Sequence, residues 1–140
     1  MADRRAPRGI LDTSVVIDLE SVATEALPTE LAVSAVTLAE LAAGPHATSD
    51  PDERARRQDR LQRAEATFDP LPIDAAVARA YGRVYAAVVA AGRKARGARS
   101  LDLLIAATAL ASELPLFTRN PDDFKVIDRL VEIVAVDPTG

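Results

Sequence analysis

Short apolar runs alternating with helical segments predict an α/β fold. The expected architecture is a three-layer α/β/α domain around a central, mostly parallel sheet of four to five short strands. The runs lie at residues 9–16, 31–33, 71–73, 116–118 and 133–136, and helix-capping signals or helical apolar spacing fill the segments between them. Size agrees: 140 residues with 49% hydrophobic content suit one domain spanning 1–140, large enough for a proper core.

Gly9 to Val16 is β-branched and follows Pro7, so it reads as a buried strand that turns into a short helix near Asp18-Leu19-Glu20. Pro28 breaks the next segment, and Leu31-Ala32-Val33 is a brief strand. Ser34 can cap a helix to about Ala43, stopped by Gly44-Pro45. A loop follows over 47–51. Residues 52–68 show helical charge spacing with only a thin apolar stripe of Leu61, Ala64 and Phe68. Leu71-Pro72-Ile73 is a short strand or an extended link. Asp74 caps a long helix whose Val77, Tyr81, Val84 and Val88 recur at helical spacing, and Gly92 is placed to stop it. A basic loop leads to Ser100, a cap for a second apolar helix from Leu101 to about Ser112. Leu116-Phe117-Thr118 is a strand, 121–127 a helical turn, and 133–136 the last strand.

Composition removes several chemistries. Without Cys there are no disulfides, thiolate zinc sites or cysteine nucleophiles. The single His46 sits in the turn-like Gly44-Pro45-His46-Ala47, which argues against serine–histidine–aspartate catalysis. No stretch approaches the roughly 18 uninterrupted apolar residues of a membrane span. The first eight residues are basic like a signal peptide's start, but Asp12 and Asp18 cut the apolar segment after them, so the expected location is the cytoplasm. The net charge of -4 disfavours a general nucleic-acid coat, yet the charge is uneven. Arg54, Arg56, Arg57, Arg60 and Arg63 read as a solvated helix face. Arg93, Lys94, Arg96 and Arg99 form an acid-free basic stretch ending just before Asp102.

Four acids each follow or interrupt an apolar run: Asp12, Glu40, Asp102 and Asp123. Unpaired buried carboxylates are costly, and several converging on one spot repel each other until a cation joins them. A hard divalent cation is the natural partner, so Mg²⁺ is expected, with Mn²⁺ as a substitute. In an open α/β sheet the carboxyl ends of the strands line the ligand crevice, which gathers these acids at one edge. Thr13 and Ser14, directly after Asp12, are placed to hydrogen-bond the carboxylates and fix their geometry.

Ile-Leu-Asp-Thr-Ser-Val-Val-Ile-Asp at 10–18, Thr-Leu-Ala-Glu-Leu at 37–41, Leu-Asp-Leu-Leu-Ile-Ala-Ala-Thr-Ala at 101–109 and Leu-Phe-Thr-Arg-Asn-Pro-Asp-Asp-Phe at 116–124 occur in this order over nearly the whole chain. Together they resemble the PIN-domain ribonucleases, and most of all the VapC-type toxins of bacterial toxin–antitoxin pairs. The resemblance implies that Asp12, Glu40 and Asp102 hold Mg²⁺, with Thr13 and Thr118 supporting the cluster. Asn120 stands where the family often has a fourth acid, with Asp123 three residues on, so one ion or two stays open. It also implies hydrolysis of RNA phosphodiesters by an activated water, with Glu40 or Asp123 as the proton acceptor. The basic stretch Arg93, Lys94, Arg96 and Arg99 is the expected guide for RNA. The implied partners are a second copy of the chain and a cognate antitoxin that blocks the acidic site.

Two other readings compete. An aspartyl-phosphate phosphatase also opens with a strand and Leu-Asp-Thr, but its chemistry wants a second Asp two residues on, and position 14 is Ser14. A non-catalytic RNA- or protein-binding module on the same fold is left room by Asn120. Against it, a site without catalysis has no reason to cluster unpaired carboxylates.

Overall fold

The computed structural model describes residues 5–93 and 98–137. Among these, β1 (Arg8–Leu11), β2 (Glu30–Ala32), β3 (Leu116–Thr118) and β4 (Ile133–Ala135) form one sheet in the spatial order β2-β1-β3-β4. All three pairings are parallel. The run at 71–73 is not a fifth strand: Leu71 makes only an isolated parallel bridge to Ser34.

Alternation along the strands builds two cores. Ile10, Ala32 and Leu116 pack into one with α4 (Ala75–Ala90) and α5 (Ala98–Ser112). Leu11, Val33 and Phe117 pack into the other with α1 (Thr13–Ile17), α2 (Ala35–Ala43) and α3 (Pro51–Thr67). Because side chains on a strand point alternately to opposite faces, this is the signature of a sheet covered on both sides. α5 is deeply buried. Leu103, Ile105, Ala106, Ala107 and Ala109 are all buried, as an almost wholly apolar helix must be. Along α4 the buried stripe is Val77, Ala80, Val84 and Val88, with Tyr81 only partly covered.

Three boundaries differ from the sequence reading. β1 stops at Leu11 instead of Val16, because the Asp12 carbonyl already accepts the Val15 and Val16 amides and turns the chain into α1. Val15 and Val16 are buried in a helix, and an apolar run this short cannot by itself separate strand from buried helix. Gly44-Pro45 does not end the helical path. Gly44 keeps a helical conformation and the chain tightens into a 3₁₀ turn over Gly44–Ala47. Finally, α5 begins at Ala98, so Ser100 lies in its first turn and does not cap it. The other signals hold: Ser34 accepts the Val36 amide, Asp74 accepts the Val77 amide, and Gly92 follows α4 with a left-handed φ of 76°.

Gly9 is needed for close approach. A Cβ there would lie 2.4 Å from the Cε1 of the buried Phe117 ring and 3.2 Å from the Cγ of Pro28.

From β1 the chain moves outward to β2, and from β3 it moves outward the other way to β4. The carboxyl ends of β1 and β3 therefore flank the switch point, where open α/β sheets bind their ligands. Asp12 and Thr118 sit at those two ends.

Candidate active site

Asp12 leaves β1 as the residue preceding α1 and is only 5% exposed. Its Oδ2 accepts two hydroxyls, Ser14 Oγ at 2.9 Å and Thr118 Oγ1 at 2.8 Å. Thr118 brings its hydroxyl from the end of β3, while the Asp12 amide donates to the Phe117 carbonyl at 2.8 Å. The buried carboxylate is thus held on one oxygen.

Glu40 reaches the same edge from α2 and is partly exposed. Thr13 Oγ1 donates to its Oε1 at 2.8 Å, and Thr37 Oγ1 lies 2.9 Å from Thr13 Oγ1. A hydroxyl has one proton, so Thr37 must donate to Thr13, and the chain runs Thr37 to Thr13 to Glu40. α2 is itself tied to α5. Thr108 Oγ1 donates to the Leu104 carbonyl at 2.8 Å, which leaves Ser34 Oγ to donate to Thr108 across 3.3 Å. That bond sets the helix bearing Glu40 against the helix bearing Asp102.

Asp102, on the exposed side of α5's first turns, is half-buried. Burial first, then the charges of Asp12, Glu40 and Asp123, push its carboxyl up from the usual 3.8 to about 6, and Arg99 opposes them. Asp123 stands exposed on the 3₁₀ helix Pro121–Ile127. Asp12, Glu40 and Asp123 therefore all act on Asp102. They stand at electrostatic range, and among the described residues no three acidic side chains are close enough to grip one ion.

The donor set suits a hard divalent cation: carboxylate oxygens only, an Asp12 oxygen carrying no protein hydrogen bond among the described residues, and an Asp102 whose ionisation is opposed by burial and by its neighbours. A cation would reverse that opposition, because a bound ion is the largest charge in such a site.

The other predicted residues are placed as follows. Asn120 is exposed, and its backbone amide donates to Thr118 Oγ1 at 3.0 Å. Arg93 is exposed at the end of α4, and Arg99 is partly buried beside Asp102. Lys94 and Arg96 lie outside the described residues. Most of the earlier arginine cluster makes contacts within the chain, while Arg60 lines a cleft beside α1. Arg54 bonds the Pro45 and Thr48 carbonyls, Arg57 the Gly44 carbonyl and Glu53, and Arg63 pairs with Glu20 and Asp59.

Three residues of the site are not evident from the sequence. Thr37 sits three positions before Glu40, a spacing that shares a helix face and carries the signal. Asp18 and Arg119 form an ion pair between the end of α1 and the exit of β3, and the Arg119 amide donates to Ser14 Oγ at 3.2 Å. Both lie inside the motifs at 10–18 and 116–124, without a local pattern to pair them.

Comparison with known proteins gives one family and consistent relatives. The PIN domain family matches residues 10–130. Ribonuclease VapC5 of Mycobacterium tuberculosis is 41% identical over 133 residues, covering 91% of this chain and 95% of that protein. Ribonuclease VapC8 of the same species is 42% identical over 102 residues, covering 72% of this chain and 89% of that protein. In a crystal structure of VapBC-5, a member of the VapBC family of toxin–antitoxin systems from Mycobacterium tuberculosis, one chain superposes with a TM-score of 0.82. It is 37% identical, and the match covers 93% of this chain and 99% of that one.

Proposed function

The chain belongs to the PIN-domain family and to its VapC ribonucleases, and on that premise we propose that it is a Mg²⁺-dependent endoribonuclease acting as the toxin of a toxin–antitoxin pair. The observation that carries the metal-dependent part is Asp102, whose carboxyl is raised by burial and by three other acids at the switch point of the sheet. Asp12, Glu40 and Asp102 would hold the cation, with Mn²⁺ able to replace it. When bound, the ion supplies Lewis-acid chemistry, lowering the pKa of a nucleophilic water and offsetting charge on the phosphoryl oxygens.

The chain's own residues do the rest. Ser14 and Thr118 hold one oxygen of Asp12 and leave the other to ligate. Thr13 holds one oxygen of Glu40 and leaves the second open to a cation or a proton. Asp123, at the exposed rim, is the other group placed to accept a proton from the attacking water.

RNA must approach an acidic edge on an acidic protein, so local positive charge is required. Arg99, beside Asp102, and Arg93 supply it among the described residues. Replacing both by Ala raises the RNA concentration needed for half-maximal cleavage and flattens its salt dependence. The cleavage position stays the same, since phosphate contacts position without specifying. Initial rates at several salt concentrations check this, and an unchanged salt slope counts against the role.

The antitoxin is the expected protein partner. The seat we assign to it is the cleft of about 310 Å³ between α1 and α3, lined by Val16, Ile17, Leu19 and Phe68 with Arg60 and Arg63 at its side. A homodimer through the exposed Tyr85 and Val89 of α4 belongs to the same proposal. No helix among the described residues is long and apolar enough to cross a membrane. Action on RNA in the cytoplasm is part of the same proposal. Purified protein should cleave RNA in Mg²⁺ and stop when the ion is chelated. Silence of the antitoxin-free protein in both Mg²⁺ and Mn²⁺, while it still binds antitoxin when this is added, would favour the non-catalytic module.

A further inference from the structure

The two hydroxyls on Asp12 are each supplied from behind by a backbone amide. The Arg119 amide donates to Ser14 Oγ at 3.2 Å, and the Asn120 amide donates to Thr118 Oγ1 at 3.0 Å. A hydroxyl that accepts an N–H on one side and has a single proton must donate that proton onward. Both protons therefore point at Asp12 Oδ2, at 2.9 and 2.8 Å. Which carboxylate oxygen is occupied, and which is left open, depends on where the peptide over residues 118–120 lies.

One contact holds that peptide sideways. Arg119 Nη1 bonds Asp18 Oδ2, joining the exit of β3 to the end of α1 across 101 positions of sequence. Arg119 Nε is buried without a partner among the described residues. An unsatisfied buried donor costs free energy, so the head group is kept in place by its bond to Asp18 and not by saturation of its own donors. Ser14 lies on α1, between Asp12 and Asp18, so the ion pair closes a ring: Asp12, Ser14, the Arg119 backbone, the Arg119 side chain, Asp18 and back along α1.

We propose that Arg119 is a positioning residue of the acidic site: paired with Asp18, it holds the 118–120 peptide against Ser14 and so fixes which oxygen of Asp12 is presented to a divalent cation. This rests on the metal-dependent reading above. It assigns a role to an arginine and an aspartate that themselves ligate nothing. Loss of the clamp lets Ser14 and the peptide rotate, and Asp12 then reaches the ion with a mixture of orientations.

Calorimetric titration of Mg²⁺ into the full chain tests this without reference to cleavage. Asp18→Asn and Arg119→Gln each weaken Mg²⁺ binding by about tenfold, the lower end of what losing a direct partner of a metal ligand costs, because the pair acts on Asp12 through Ser14. Arg119→Lys keeps a charged donor and recovers most of the affinity. Glu20→Gln, which breaks the neighbouring Glu20–Arg63 pair in the same cleft, leaves affinity at the unaltered value. Unchanged Mg²⁺ affinity in both Asp18→Asn and Arg119→Gln, even with a lowered melting temperature, makes the pair purely structural and overturns the proposal. Equal weakening by Glu20→Gln overturns it too, since the effect is then not specific to the clamp. Failure of the unaltered protein to bind Mg²⁺ or Mn²⁺ overturns the metal-dependent reading itself, and so separates the two.

Discussion

Asp12→Asn and Asp102→Asn each remove RNA cleavage, by roughly 10³-fold or more, a larger loss than the 10–100-fold typical of an outer-shell partner. Both keep the shape of the side chain and delete the anion a hard cation needs. In Asp12→Asn the amide oxygen would still accept from Ser14 and Thr118, so the loop at β3 stays in place. The two variants differ in their effect on the metal-free protein. Asp102 is half-buried and faces Asp12, Glu40 and Asp123, with Arg99 opposing them. Deleting its charge relieves desolvation and repulsion that folding imposes, so metal-free Asp102→Asn melts higher than the parent. The gain is on the order of 1 kcal/mol once solvent screening is allowed for. For a domain of this size that is a few degrees, about 2–6 °C. Cleavage assays in Mg²⁺ and melting curves in chelator measure the two effects on the same samples. Wild-type cleavage by either variant at ordinary Mg²⁺ sinks the assignment of the site. A metal-free Asp102→Asn protein that melts several degrees lower means that the carboxylate has a stabilising partner, and the repulsion argument fails.

The layout of the site is legible in the sequence because its parts follow rules that act over a few residues. Asp12 closes an apolar strand, Thr118 ends another, and α/β topology puts both at one edge. Ser34 and Asp74 cap their helices by a local preference that composition and position announce. What stays hidden depends on tertiary partners. Val15 and Val16 look like strand because β-branched residues suit a buried strand as well as a buried helix, and only the Asp12 carbonyl decides. Ser100 looks like a cap, yet α5 starts two residues before it. The Thr37–Thr13–Glu40 chain and the Asp18–Arg119 pair join elements 24 to 101 positions apart, and no spacing rule links residues at such separations. The basic guide reads as one stretch, but its described members differ: Arg93 faces solvent while Arg99 sits in the field of Asp102.

The same carboxyl sets an expected pH dependence with opposite signs for stability and for metal binding. Asp102 ionises near 3.8 in an unfolded chain and at about 6 in the folded one. Between those values the folded state holds the extra proton, so stability falls as pH rises from about 4 to 6 and levels off beyond, in the absence of metal. Mg²⁺ requires the ionised form, so protons and metal compete for Asp102. Affinity should fall by about tenfold per pH unit below 6, if one proton is displaced per ion, and should be flat above it. With excess Mg²⁺ the stabilisation by bound ion grows through this window and offsets the loss seen without it. Melting temperatures in chelator and in Mg²⁺ therefore diverge as pH rises from 5 to 7. In Asp102→Asn the break near pH 6 disappears from both curves, because the titrating group is gone, and metal affinity is weak throughout. Parallel melting curves in chelator and Mg²⁺ across that range would mean that Asp102 does not ligate. A break that persists in Asp102→Asn would take the titrating role away from Asp102.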